Sequence, residues 1–515
     1  MTFNLPLKYG WAAIPLFWGV SLIGFSFGLD VAALNLWCAL LLLFLFNPTD
    51  IIDKKRIWYG CNLILIAILG NILSAKSYGV LCFAGACGLA YLFALPKKAQ
   101  NVAALIIALG AFCNLSFITN TEISWVQYDF LSCYNYIEYI LENHFMFWRE
   151  NPLLTRPSYS TYHPILHYLL AASAVMLGKG LTENLVAANE ALQVLLVGYM
   201  MWYYIFAHRI LGLLRLSYAI RLVLLAFICL FPTYNAISGL INNDCLLLPL
   251  QAGAIYYALI YYLQGGRKNL LFIWGFIVLA CLTKLSGILV LPMVGLALLL
   301  HFIKEKKLST LYELAIFGVC LFLGVAIWPL YQSFILHIGT DFVPPQEHLA
   351  LAPFSVGERF SPLRAFLYEK IFYDDYGPNL WETLTKTALF GQWNFYIRAQ
   401  DIMPLLYVMI WGYKAINAVI IIAIGYLLVR QCNKQYFALG LVLTSSLLGG
   451  LLAFSLKHPY MCNQDFRYIA ILPLGYAFLL SEFLQNISSF WRKFVCFLLI
   501  GFSTVSCLVW YWVSF

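Results

Sequence analysis

Charge is what this sequence has least of. Asp, Glu, Lys and Arg make up 10% of its 515 residues, whereas a soluble domain carries about a quarter. With 63% hydrophobic residues and a mean hydropathy of +0.82, the chain has too little polar surface for a water-soluble globule. The composition predicts an all-α polytopic membrane protein, because a chain in hydrocarbon must satisfy its own backbone. Other absences narrow the function. None of the 14 cysteines forms a CxxC pair; most lie in apolar runs, where a thiol packs as a small hydrophobe rather than a metal ligand or disulfide partner. No Gly-rich phosphate loop of the P-loop type is present, so nothing points to a nucleotide site. There is no internal repeat, Ser/Pro linker or low-complexity tail. The first apolar run leads straight into further spans, so no cleavable signal is expected. The net charge of +8 is not a nucleic-acid signal, since its positive residues sit in short loops, as cytoplasmic anchoring requires.

What is there is a long series of apolar segments. Five come first, at about 11–27, 31–46, 57–73, 77–95 and 101–118. Lys54, Lys55 and Arg56, then Lys97 and Lys98, fall on one side if the N-terminus is cytoplasmic. The loop 119–162 then lies outside. The next run, 163–178, is 16 residues long, short for a span that needs about 20. If it crossed, His208, Arg209, Arg215 and Arg221 would be external, so it is read as a re-entrant or interfacial helix. Segments 184–211, 217–236, 245–263, 270–283, 288–302 and 311–337 then alternate, and 402–430, 436–456, 468–487 and 494–513 follow a second long loop, 339–400. The expected count is about 15 transmembrane helices plus interfacial or re-entrant helices in two long external loops. Residues 1–100 read as a four-span N-terminal addition, and 101–515 as the core, with external loops 119–183 and 339–400.

This topology gathers the sparse polar residues on the external face: Asp129, Arg156, His163, Asp244, Lys284, Asp374, Asp375, Asp465 and Arg467. Ionisable groups that interrupt membrane spans are functional candidates. Asp129 opens a stretch in which Phe130, Tyr134, Ile137 and Leu141 share one helical face; a carboxylate held there can take a proton from an attacking hydroxyl, or simply favour a helix N-terminus. Lys284, in Leu282-Thr-Lys-Leu-Ser-Gly287, has apolar helix on both sides and needs an anionic partner or a polar cavity, unless it snorkels to the interface. Phosphate is a natural partner for it. Arg467 offers a bidentate phosphate fork or a local pair with Asp465. Asn243-Asp244 stands where a helix cap would stand. Asp374-Asp375 could hold a divalent cation, and no other cofactor is indicated. His163 and His167, four residues apart, share a face without an evident third metal ligand, which favours packing.

Taken in order, these islands resemble the glycosyltransferases that use polyprenyl-phosphate sugars, in the glycosyltransferase C superfamily. The closest groups are the dolichyl-phosphate-mannose protein mannosyltransferases and the lipid A aminoarabinose transferases. The resemblance covers about residues 100–513. It is carried by Asp129 ahead of Tyr134-Asn-Tyr-Ile137, by His163-Pro-Ile-Leu-His-Tyr-Leu-Leu170, by Asn243-Asp-Cys-Leu-Leu247, by Thr283-Lys-Leu-Ser-Gly287, and by Arg467-Tyr-Ile-Ala-Ile-Leu-Pro473. The chain departs from the pattern at Phe130, where relatives often carry a second acid, and at Ile165, in place of a second Pro. The resemblance implies sugar transfer, with inversion, from a polyprenyl-phosphate carrier to a glycan, lipid or protein acceptor. It also implies a site facing outward from a cell (inner) membrane. Asp129 would be the base, and Lys284 and Arg467 would hold the donor phosphate. Arg156, His163, Asp244, Asp374, Asp375 and Asp465 would support them. The alternative is a transporter or flippase of a lipid-linked anion, in which the same cations bind and nothing reacts; inverted repeats would favour it.

Overall fold

The structure, a computed structural model, describes residues 100–120, 130–145, 163–181, 185–334, 350–351, 354–367, 377–391, 402–430 and 435–514. The first four expected spans, Asp129, Arg156, Asp374 and Asp375 lie outside the described residues. Among the described residues the chain is helical throughout, and the sole extended pairing is an isolated bridge between Ala350 and Tyr460. The helices are α1 (Gln100–Asn120), α2 (Phe130–Glu142), α3 (Leu166–Leu181), α4 (Leu185–Leu213), α5 (Tyr218–Cys229), α6 (Thr233–Gly239), α7 (Asp244–Gln264) and α8 (Arg267–Thr283). Then come α9 (Leu291–Glu305), α10 (Leu308–Phe334), α11 (Val356–Phe360), α12 (Pro362–Leu367), α13 (Leu380–Phe390), α14 (Met403–Val429), α15 (Gln435–Lys457), α16 (Leu472–Asn486) and α17 (Ser489–Ser514). Among the described residues, six helical segments are long and apolar enough to cross a membrane, or up to eight if each of two bent pairs is one span. The chain is a multi-pass membrane protein.

Burial separates the inner helices from the outer ones. In α7, 83% of the apolar window is buried, against 11% in α10; α7 is therefore the axis of the bundle, and α10 turns most of its surface outward. α7 packs on α4, α8 and α9. Its approach to α8 is close at Gly253, where a Cβ would fall 2.5 Å from the Phe276 ring. Tyr257 stacks on Phe272 beside this contact, with ring centroids 4.5 Å apart. Leu311, Val319, Phe322, Leu323 and Leu330 of α10 are exposed; a row of large apolar side chains facing outward suits a hydrocarbon solvent.

Proline stands at two of the helix breaks. The expected continuous segment 217–236 is two helices, α5 and α6, bent by 46°, because Pro232 supplies no backbone N–H to continue the ladder. The second bend, 52°, falls between the 3-10 turns spanning Met461–Ile469 and α16, where Pro473 sits in the first turn. These breaks fill the interior with short, polar-ended pieces: every residue of α6 is buried.

The bundle has two distinct ends. At one, Tyr262 near the end of α7 bonds Gln435 at the start of α15. The Tyr436 hydroxyl there donates to Leu213 O at the end of α4 over 3.3 Å, and Arg430 at the end of α14 donates to Asn486 O at the end of α16. At the other end stand the start of α7, the end of α8 and the turns before α16, joined by the contacts described in the next section. The ends of α4, α7, α14, α15 and α16 joined by the first of these sets of contacts are ones the basic-loop reading puts on a single side.

α2 and α3 form a small layer with its own core. Cys133, Tyr136, Ile137 and Ile140 of α2 meet Tyr168, Ala171, Ala172 and Val175 of α3, with Ile241 and Trp328. This corrects the expected apolar face of α2. Ile137 is shared, but Cys133, Tyr136, Tyr139 and Ile140 are buried with it, whereas Tyr134 and Leu141 are half-buried, Leu141 packing at the edge of this core. The helix turns its face to α3, where the Tyr136 and Tyr168 rings lie 4.7 Å apart. α3 exists where a short helix was expected and is 16 residues long, about 24 Å at 1.5 Å per residue. We predict that it does not cross. A single cysteine at the exposed position Lys179 should react with an impermeant thiol reagent from the same side as cysteines placed in 119–162. Labelling from the opposite side alone would refute this.

Candidate functional site

The site begins with an interrupted helix. α8 stops at Thr283, and Lys284 adopts extended backbone, φ −159° and ψ 137°. A 3-10 turn, Leu285–Val290, then leads into α9. Gly287 permits the chain to fold back here, since a Cβ would come within 2.8 Å of the Ala280 carbonyl carbon. A break inside an apolar bundle frees carbonyls that need donors, and α7 supplies two. Asn243 Nδ2 donates to Thr283 O over 2.9 Å, and Gln251 Nε2 donates to Ser286 O over 3.1 Å. Asn243 does occupy the N-cap position of α7, but makes no side-chain cap bond; its amide serves the neighbouring helix instead. Asn242 Oδ1 accepts from the Asp244 backbone N–H at 3.0 Å.

Lys284 finds its anion within the protein. Its Nζ lies 2.5 Å from Asp244 Oδ1, and 4.5 Å from the centroid of the Tyr468 ring. Lys284 is 6% exposed and Asp244 1%, so snorkelling is ruled out for this cation. The second carboxylate oxygen, Asp244 Oδ2, is buried without a hydrogen-bond partner. Arg467 also stands near Tyr468, its guanidinium carbon 5.7 Å from the centroid of the same ring. It sits 3.4 Å, Nε to Oδ2, from Asp465. Asp465 also caps the turn Phe466–Ile469, accepting the Arg467 backbone N–H at 2.9 Å. The local Asp465–Arg467 pair anticipated from spacing is therefore present. Two buried cations near one aromatic ring thus each lie against a buried carboxylate.

His163 joins this group from a fourth segment, just ahead of α3. Burial, then Lys284, then Arg467 and His167 push its imidazole from 6.5 down to about 3, so it is neutral beside the two cations. His167, one turn on, is fully buried with both ring nitrogens unpartnered; it packs edge-on against Tyr168, with centroids 5.3 Å apart. Among the described residues no group of three His, Cys, Asp or Glu side chains could hold a metal ion.

The second long loop closes over the same end through α13. Asn379 caps it, accepting from Trp381 N and Glu382 N, and donates to Glu358 O and Ser361 O. Thr387 Oγ1 receives the Phe466 backbone N–H at 2.8 Å, fastening α13 to the turn that carries Arg467. Thr233 of α6 donates to Thr387 O at 3.1 Å. Of the residues singled out from sequence, His163, Asp244, Lys284, Asp465 and Arg467 are thus brought together. Tyr468, Asn243, Gln251 and Thr387, which were not singled out as site residues, hold them.

Removing one member of a buried ion pair strands the other, at a cost of about 3–5 kcal/mol. Lys284→Ala should therefore lower thermal stability sharply, and Lys284→Met combined with Asp244→Asn should regain most of the loss. Melting curves in detergent check this; an Ala variant as stable as wild type would show that the pair contributes little. The chain matches no model of a known protein family and no curated protein sequence.

Proposed function

We propose that the protein is an integral membrane glycosyltransferase that moves a sugar from a polyprenyl-phosphate carrier to an acceptor hydroxyl on the extracytoplasmic face, with inversion. The observation that supports it is the meeting of Lys284 and Arg467 at the Tyr468 ring. The two cations come from segments 183 residues apart (467 − 284) and lie at one end of an apolar bundle. Such a pair suits a lipid-borne phosphate that arrives from the bilayer and needs charge stabilisation as it leaves the sugar. Because each cation already has a carboxylate partner, the site is prepared for an anion without exposing bare charge to hydrocarbon in its absence. Donor phosphate oxygens would share Lys284 with Asp244 and Arg467 with Asp465.

Asp129, immediately before α2, is the proposed base, and Arg156, Asp374 and Asp375 belong to the loops that would cover the site. A divalent ion at Asp374-Asp375 fits this scheme but is not required by it. In the full topology about fifteen spans place these loops outside the cytoplasm, in the cell (inner) membrane. The four N-terminal spans precede the core. The acceptor is a glycan, lipid or protein hydroxyl.

The test is reconstitution of purified protein with labelled polyprenyl-phosphate sugars and candidate acceptors, followed by mass analysis of product. Asp129→Asn keeps side-chain size and capping ability and should bind donor normally. Loss of a general base should lower transfer by about 10²–10⁴-fold. Wild-type rates in a folded Asp129→Asn variant would remove Asp129 from the mechanism. Movement of carrier across vesicles with no glycosylated product from wild type would replace the enzyme reading with a transport one.

A further inference from the structure

Two hydrogen-bonding atoms at the start of α7 are left unused. Asn242 Oδ1 accepts the Asp244 backbone N–H at 3.0 Å. Only an oxygen can accept there, so the free end of that side chain is its NH2 group. Asn242 Nδ2 is buried without an acceptor. Asp244 Oδ1 holds Lys284 Nζ at 2.5 Å, while the other oxygen of the same carboxylate, Oδ2, is buried without a donor. Asn242 is 5% exposed and Asp244 1%, so bulk water does not serve either atom. Leaving a buried polar atom unpaired is costly, and more so on a charged group. Native structures keep few such atoms, and each one kept calls for an explanation.

We propose that Asn242 and Asp244 form a subsite for a sugar hydroxyl of the donor, next to its phosphate. This rests on the reading of the protein as a polyprenyl-phosphate-sugar transferase. The hydroxyl donates to Asp244 Oδ2, and Asn242 Nδ2 donates to the same oxygen or to its neighbour on the ring. The unmet bonds select this chemistry. Oδ2 requires a donor and Nδ2 an acceptor, and a hydroxyl is both. An ionised phosphate oxygen has no hydrogen to give, and at Oδ2 it would set one anion against another. An ammonium group offers no acceptor and would stand beside Lys284, a like charge. Water and a sugar hydroxyl share the required chemistry.

Position favours the sugar. Lys284, which the proposed donor phosphate shares with Asp244, is bonded to the same carboxylate. A group on Oδ2 therefore lies a few atoms from a phosphate on Lys284, where the first ring of a glycosyl phosphate begins. Asn243, between the two residues, is engaged by Thr283 O and belongs to the helix break. The division of labour follows. Lys284 and Arg467 would hold any lipid phosphodiester, whereas Asn242 and Asp244 would tell one sugar from another. A site built to hydrogen-bond a hydroxyl rejects the analogue lacking it far more strongly than an apolar pocket rejects a missing methylene.

The experiment compares two affinities of the full-length protein in detergent, one for farnesyl methyl phosphate and one for farnesyl phosphoryl sugars from a panel of hexoses and pentoses. Both ligands carry one phosphodiester charge, so their ratio isolates the sugar. At least one sugar should bind about tenfold or more tightly than the methyl ester, as one hydrogen bond to a charged group provides. Among its single-deoxy analogues, one position should lose that gain. Asn242→Ser, which can still cap α7, should shrink the ratio and cease to distinguish that deoxy analogue from its parent. Equal binding of the methyl ester and every sugar overturns the subsite and leaves the phosphate clamp standing; a lower melting temperature of Asn242→Ser then marks a resident water. A folded Asn242→Ser variant that keeps the full discrimination, or a wild-type preference that no single hydroxyl carries, overturns it too. Failure of wild type to bind either ligand overturns the transferase reading with it. If Asn242→Ser does not fold, Asp244→Asn takes its place, read through the same ratio.

Discussion

The architecture depends on a helix being broken where a membrane protein can least tolerate it. Between α8 and α9 the backbone leaves the helical path at Lys284, and every consequence must be settled by neighbouring side chains, because hydrocarbon offers no hydrogen bonds. α7 settles them with Asn243 and Gln251 for the carbonyls and with Asp244 for the ammonium. That is why α7 is the most enclosed of the spanning helices and carries an amide–carboxylate series along an otherwise apolar length. The polar site is the price of the break, and the break is what puts a lysine in the interior.

The same logic extends to the second bend. The turns before α16 bring Asp465 and Arg467 inward, and the Phe466 backbone N–H, freed by the turn, is taken by Thr387 of α13. Phe466 stacks on Phe231, next to the Pro232 break, with centroids 5.6 Å apart. Three interruptions of helix, at Pro232, Lys284 and Arg467, are therefore packed together, each supplying partners for another. Behind them a buried network runs deeper. Asn114 donates to Asn235 and accepts from Tyr204, and Tyr234 links Tyr203 to Ala470 O, so α1, α4 and α6 hold the floor of the site rigid.

Charge scarcity made part of this legible in the sequence. In a chain with so few ionisable residues, a lysine between two apolar runs and an Asn-Asp pair at a helix start stand out without any structural help. His163 and Arg467 stood out in the same way. Their partnerships did not, since nothing in sequence joins Asp244 to Lys284 across 40 residues except packing. Tyr468 was hidden among 34 tyrosines, and Thr387 looked like any helix-forming loop residue. The face of α2 was misjudged for a related reason. Periodicity marks an apolar stripe, but whether that stripe meets lipid or α3 is decided by a neighbour 35 residues away, at the Cys133–Tyr168 contact.

α10 has a length that its surroundings must accommodate. Its 27 residues extend about 40 Å, while the hydrocarbon layer is about 30 Å thick. Upright, it would carry roughly two turns beyond the acyl chains into the headgroup region. In its last turns Trp328 and Gln332 are buried while Leu330 and Phe334 face outward, and Trp328 joins the α2–α3 core. Along its shaft it is held by α8, where Trp274 Nε1 donates to Cys320 O over 3.0 Å and Arg267 pairs with Glu313. Bilayer thickness would then bear on α8 and α10 as a pair, and α8 ends at the break that carries Lys284.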